Sequence, residues 1–158
     1  MDPYELFEWI TKTISKKMKL ENLPYRFELI SKNIINDSKS TNFHSLSYAL
    51  NKVDDLFKDQ EYILIVCGNP EKEGHRKVSI EGPKEVLIFG KHAQELDHCI
   101  NHPIKTIHIS LEDVFKNIKG NKSYKNILFS PGYPSGNDFK DYIQRGEHFN
   151  SLVKKHLI

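Results

Sequence analysis

The sequence predicts a doubly wound α/β domain, a mostly parallel sheet flanked by helices. Three observations carry this reading. After residue 40, short apolar runs alternate with segments of helical periodicity, the pattern of parallel strands joined by crossover helices. Those runs are unbroken and rich in β-branched residues, as strands covered on both faces are. The chain has 158 residues, 38% of them apolar and 28% charged, which suits one folded domain rather than a disordered chain.

Each element follows in order. Residues 3–20 read as a helix, because Leu6, Phe7, Ile10, Ile14 and Met18 recur at helical spacing behind Pro3, a favoured first-turn residue. Trp9 is expected to pack that helix, and Asn22-Leu23-Pro24 ends it. Residues 25–36 alternate as two short strands around Ser31-Lys32-Asn33, a β-hairpin. Residues 42–57 return to helical spacing through Phe43, Leu46, Ala49, Leu50, Val53 and Leu56, with Thr41 or Asn42 as the cap. Tyr62–Cys67 is a continuous apolar strand; Glu85–Phe89 and Ile127–Phe129 repeat its character, and Lys105–Ile109 is a weaker version. Helical patterns at 91–100 and 111–119 separate them. Asp138–Leu157 reads as an amphipathic helix with Phe139, Tyr142, Ile143, Phe149, Leu152 and Val153 on one face. Asp138 falls in its first turn and Lys154, Lys155 and His156 in its last, both favourable to the helix dipole.

Several function classes are disfavoured. No apolar run approaches the ~20 residues of a membrane span, and the N-terminal MDPYELFEW lacks the layout of a secretory signal. Two cysteines, Cys67 and Cys99, are too few for a disulfide scaffold, so a cytoplasmic location is expected. A net charge of +2 gives no electrostatic case for nucleic acid as a partner. The chain lacks both GxxxxGK[ST] and GxGxxG, which disfavours a nucleotide-binding domain that works alone. Eight histidines include no HExxH pair. His98 and His102 lie four apart, but Pro103 ends that helix, so no metal site is expected. Cys67 closes a buried strand and reads as core rather than nucleophile.

Ligands of open parallel sheets bind beyond the carboxyl ends of the strands. Three loops fall there. Asn36-Asp37-Ser38-Lys39-Ser40-Thr41-Asn42 leads into a helix and is dense in hydroxyls and amides; it reads either as an anion site or as a capping loop. Gly68-Asn69-Pro70-Glu71-Lys72-Glu73-Gly74 follows the most apolar strand and is either a close-approach loop or a plain turn. Ser130-Pro131-Gly132-Tyr133-Pro134-Ser135-Gly136-Asn137 opens the last helix. There Ser135 and the following amides read either as a carboxylate site at the helix N-terminus or as a well-built helix start.

Together these segments carry a resemblance. ILFSPGYPSGNDFKDYIQRGEHFNSLV (127–153), IINDSKSTN (34–42), LPYRFELI (23–30), LIVCGNPEKEG and VLIFGKHAQEL resemble, in order and spacing, the end of the ATP-dependent UDP-N-acetylmuramoyl-L-alanine:D-glutamate ligases of peptidoglycan synthesis. The resemblance implies a three-domain enzyme. An N-terminal domain holds the UDP-sugar, a central domain binds ATP and Mg2+, and a C-terminal Rossmann-like domain binds D-glutamate. Residues 23–158 match the last of these, and residues 1–22 the helix leading into it. It also implies a mechanism. The substrate carboxylate is phosphorylated, the D-glutamate amino group attacks the acyl phosphate, and phosphate leaves.

Carried over by resemblance, Thr41, Ser135 and the Gly136 amide would hold the glutamate side-chain carboxylate, Tyr142 would lie near the α-carboxylate, and Lys72 would pair with a glutamate carboxylate. Arg26 and Asp37 would reach ATP across the domain interface, with Ser38 and Lys39 completing that loop. No residue of this chain is given a catalytic or metal-binding role, and no cofactor is expected for the chain alone. D-glutamate is the implied partner, with UDP-N-acetylmuramoyl-L-alanine held by the other domains, carried on this polypeptide or on a separate chain. Some positions depart from the pattern. Lys72 supplies the usual basic residue only if its loop is one residue longer, and otherwise Glu71 would repel the substrate. Tyr25 replaces a histidine, Gly136 a bulkier apolar residue and Asn137 an acid. His75–Lys84 is short for a crossover helix. These departures keep open a second reading, a non-catalytic α/β module derived from such a domain.

Overall fold

The computed structural model describes residues 23–158 together with Asp2, Pro3, Glu5, Leu6 and Trp9. Of the predicted helix over 3–20, Pro3, Glu5, Leu6 and Trp9 have helical backbone, and the rest lies outside the described residues. Trp9 is 58% exposed, against the expectation that it packs.

The hairpin is present. β1 (Glu28–Ser31) and β2 (Ile34–Asn36) pair antiparallel around the turn at Lys32-Asn33. β3 (Ile63–Cys67), β5 (Glu85–Phe89), β7 (Lys105–His108) and β8 (Ile127–Gly132) join them in one sheet ordered β1-β2-β8-β3-β5-β7. Every pairing from β2 to β7 is parallel, so five strands end at one edge. A two-stranded parallel ladder, β4 (Val78–Ser79) and β6 (Ile100–Asn101), stands apart; strands this short have no periodicity to detect in sequence.

Among the described residues, four helices cover the sheet: α1 (Phe43–Phe57), α2 (Ala93–Cys99), α3 (Leu111–Gly120) and α4 (Tyr142–His156). The two-residue period of the strands sends alternate side chains to opposite faces. Leu64, Val66, Val86, Ile88 and Leu128 meet α1 and α2 on one face. Ile63, Ile65, Leu87, Ile127 and Phe129 meet α3 and α4 on the other. The link from β3 to β5 contains a 3-10 turn at Pro70–Glu73 and β4 but no α-helix, in keeping with its length.

Two boundaries correct the sequence reading. β8 runs to Gly132, so Ser130-Pro131-Gly132 belong to the strand rather than to the loop. The last helix begins at Tyr142, not Asp138. Asp141 caps it by accepting from the Gln144 N–H at 2.8 Å. Asp138 is engaged elsewhere, accepting the Lys91 N–H at 3.0 Å. The buried side of α4 is Arg145, Gly146, Phe149, Leu152 and Val153. Ile143, expected on the apolar face, is 42% exposed, and Phe139 precedes the helix.

Candidate functional site

The connection leaving β2 turns toward α1 on one face, whereas that leaving β8 turns toward α4 on the other. Adjacent strands whose connections part in this way leave a crevice at their carboxyl ends. The loops predicted to carry chemistry border that crevice.

The loop after β2 is tied down atom by atom. The Asp37 N–H donates to Phe129 O at 2.7 Å, and the Ser40 carbonyl accepts from the Gly132 N–H at 3.1 Å. The Asp37 carboxylate accepts from the Phe27 N–H at 2.9 Å and from the Ser130 hydroxyl at 2.8 Å. Burial pushes its carboxyl up to about 6, against the lowering pull of the Ser130 and Phe27 hydrogen bonds and of Arg26 and Lys52. Ser38 is fully buried, and its hydroxyl donates to Tyr142 O at 2.8 Å. Asn42, not Thr41, caps α1 by accepting from the Ser45 N–H at 2.8 Å. The neighbouring Thr41 is left half-buried at the start of the helix.

A buried arginine joins this loop to the next. Arg145 is fully buried on α4. Its Nε donates to Ser38 Oγ at 3.2 Å, Nη2 to Ser38 O at 2.7 Å and Nη1 to Tyr133 O at 3.0 Å. Among the described residues it pairs with no carboxylate within ion-pair distance, and burial pulls its pKa down. One side chain thus sets the spacing of the loops after β2 and β8. Asn36 extends the clamp, donating to Gly146 O at 3.0 Å and to Asn150 Oδ1 at 2.7 Å. Sequence reasoning gave Arg145 no role. An arginine inside a helix reads as a surface residue, and only the carbonyls around it show otherwise.

The loops after β3, β5 and β8 meet in the same way. The Asn69 N–H donates to Pro134 O at 3.0 Å. A Cβ on Gly68 would fall 2.2 Å from that carbonyl oxygen, so only glycine allows this approach. A Cβ on Gly136 would lie 3.3 Å from Asn69 Cβ and 3.6 Å from His92 Cδ2. Asp138 holds the turn to the Lys91 N–H, and the Lys91 ammonium donates to Asn137 O at 3.2 Å.

The predicted residues therefore divide. Ser135 and Gly136 sit at this junction, and six residues separate Ser135 from the first residue of α4, so Ser135 does not itself open that helix. Tyr142 opens the helix, with Lys39 Nζ 4.0 Å from its ring centroid. Arg26 is exposed. Asp37 and Ser38 are spent on internal hydrogen bonds. Lys72 projects from the exposed 3-10 turn, and it is Asn69 that meets the Ser135–Gly136 segment. His98 is exposed, whereas His102 is buried and bonded to the Ile104 and Pro83 carbonyls. Cys67 is buried in the core, which pushes its thiol up to about 11.

Among the described residues, Ser40 Oγ, His92 Nε2 and Tyr133 OH are buried without a hydrogen-bond partner. All three belong to segments leaving the carboxyl ends of β2, β5 and β8. Leaving such an atom unpaired costs about 1–3 kcal/mol, so each calls for a partner that the described residues do not supply. The clefts lined by Asp54, Tyr62 and Lys84, or by Tyr25, Asn150 and Lys154, lie elsewhere.

Known proteins place this edge in context. No family model matches the chain. A UDP-N-acetylmuramoylalanine–D-glutamate ligase of Petrotoga mobilis is 35% identical over 144 residues, which is 84% of this chain and 32% of the relative. A ligase of the same name from Hydrogenobaculum is 34% identical over 147 residues, 87% of this chain and 34% of the relative. That of Thermotoga maritima is 29% identical over 160 residues, 96% of this chain and 36% of the relative. The chain is a partial homologue of this D-glutamate ligase family. It spans about a third of the length of the curated relatives it matches.

Proposed function

We propose that this chain is the C-terminal, D-glutamate-holding domain of such a ligase. It presents the amino group of D-glutamate to the carboxylate of UDP-N-acetylmuramoyl-L-alanine, which domains outside this chain carry. The observation supporting this is the convergence of the loops after β2, β3, β5 and β8 on one edge rich in unpaired polar atoms, in a relative of ligases named for D-glutamate. Residues 23–158 form the domain, and residues 1–22 the connection to the ATP-binding part.

In this reading Thr41, Ser135 and the Gly136 amide hold one carboxylate of D-glutamate. The start of α4 at Tyr142 borders the other. Holding the amine against its target is worth several kcal/mol of barrier without any covalent step. The charged ends of Arg26 and Lys39 fit contacts to nucleotide phosphates across a domain boundary. Asp37, Ser38 and Arg145 keep that loop in shape. In this reading Mg2+ and most of ATP are held by the other domains. When bound there, ATP supplies the phosphoryl group that activates the accepting carboxylate. The reaction and the two free, buried cysteines suit the cytoplasm; among the described residues no helix is long and apolar enough to cross a membrane.

The test is reconstitution. Mixing this chain with a preparation carrying the remaining ligase domains is expected to give UDP-N-acetylmuramoyl-L-alanyl-D-glutamate. Ser135→Ala is expected to weaken D-glutamate binding in calorimetry. No product at any ratio, with binding unchanged in Ser135→Ala, would favour a derived module that no longer serves the reaction.

A further inference from the structure

We propose that His92, rather than Lys72, is the basic residue that meets a ligand carboxylate at this edge, with Glu95 as its orienting partner. The inference rests on the D-glutamate reading above and names a residue that neither sequence motifs nor resemblance singled out.

His92 lies between β5 and α2, directly beneath the Ser135–Gly136 turn. Its Nδ1 is 2.7 Å from Glu95 Oε1, and the other oxygen of the same carboxylate is 2.7 Å from His75 Nε2. These contacts hold the Glu95 carboxyl below its usual range. With Nδ1 committed to a carboxylate, the opposite nitrogen faces the other way. That nitrogen, Nε2, is buried and unpartnered. It belongs to the ring edge whose Cδ2 lies 3.6 Å from the Cβ position of Gly136.

The arrangement suits an anion. A ligand carboxylate at Nε2 and the carboxylate of Glu95 at Nδ1 would give each ring nitrogen a partner. Lys91 and Asp138 are the other charged groups at this turn, and they engage the turn itself: the Lys91 N–H and ammonium reach Asp138 and Asn137 O. Glycine at 136 places no side chain against that ring edge. Gly136 and Asn137 are exposed, so the turn lies at the surface beside that ring edge. Lys72, by contrast, is exposed on the 3-10 turn.

The experiment is a D-glutamate titration of the whole chain, followed by amide spectra and by long-range proton–nitrogen spectra of the histidine rings. The His92 Nε2 resonance is expected to move together with the Ser135–Asn137 amides. His92→Gln is expected to weaken binding about tenfold, and Lys72→Ala less than twofold. Movement of the amides with a silent His92 ring, or a larger loss in Lys72→Ala than in His92→Gln, overturns the assignment to His92 and leaves the D-glutamate reading standing. No movement anywhere up to saturating D-glutamate overturns that reading, and this inference with it.

Discussion

Arg145 is a charge buried among carbonyls. A guanidinium offers five donors in a fixed plane, and here that plane spans the Ser38 and Tyr133 backbones. Removing it strands those acceptors in a buried site. Arg145→Met is therefore expected to lose about 3 kcal/mol or more in urea denaturation; a loss under about 1 kcal/mol would show that the clamp is not a main support of these loops. Asp37 gives a second expectation. Its folded-state carboxyl titrates near 6, above the ordinary 3.8. Between those pH values the folded chain holds a proton that the unfolded chain has released. This group's contribution is full below about pH 4 and lost as pH rises through 6, opposite in sign to a salt-bridged aspartate. Asp37→Asn removes the titration and keeps a partner for both Phe27 and Ser130. Its stability relative to wild type is expected to improve from pH 4 to pH 7 by up to about 3 kcal/mol. Parallel denaturation curves that show no pH-dependent difference would remove the buried-carboxyl account.

Among the elements, close approach decides more than propensity does. Gly68 has φ +117, and a side chain there would meet the Pro134 carbonyl. Gly68→Ala is expected to cost about 3 kcal/mol or more, both from the clash and from the left-handed backbone. Retention of full stability would mean that β3 and the loop after β8 are not in contact. Gly146 is the subtler case. Inside a helix Ala should gain about 1 kcal/mol over Gly, but a Cβ at 146 would fall 2.4 Å from Tyr25 Cδ1. Gly146→Ala is therefore expected to release residues 23–27 from α4, seen as faster proteolysis in that segment with the sheet core intact. Unchanged proteolysis would show that Tyr25 does not depend on the glycine.

For the whole molecule, length is the governing fact. The chain covers about a third of its relatives, and its sequence has no phosphate loop. A pure sample is expected to show no ATP hydrolysis above background, and clear turnover would sink the assignment to the glutamate-holding domain. How much could be read in advance differed by element. β3, β5, α1 and α3 were legible because hydrophobic periodicity and caps are local signals. The start of α4 was misread because Asp138 and Asp141 are equally good caps in sequence. Only the pairing of Asp138 with the Lys91 amide, distant in sequence, chooses between them. The loops were legible as places but not as arrangements. Their Ser, Asn and Gly content serves turns and ligands alike. Arg145 and His92 went unassigned because their meaning lies in which backbone each one meets. The sequence by itself determined a parallel α/β sheet, the edge where its loops gather and the ligase family it resembles, since periodicity and motif order are written along the chain. Only the tertiary structure decided which side chains are buried clamps and which keep an unpaired atom at that edge, because burial and hydrogen-bond pairing are made between segments that the chain order keeps apart.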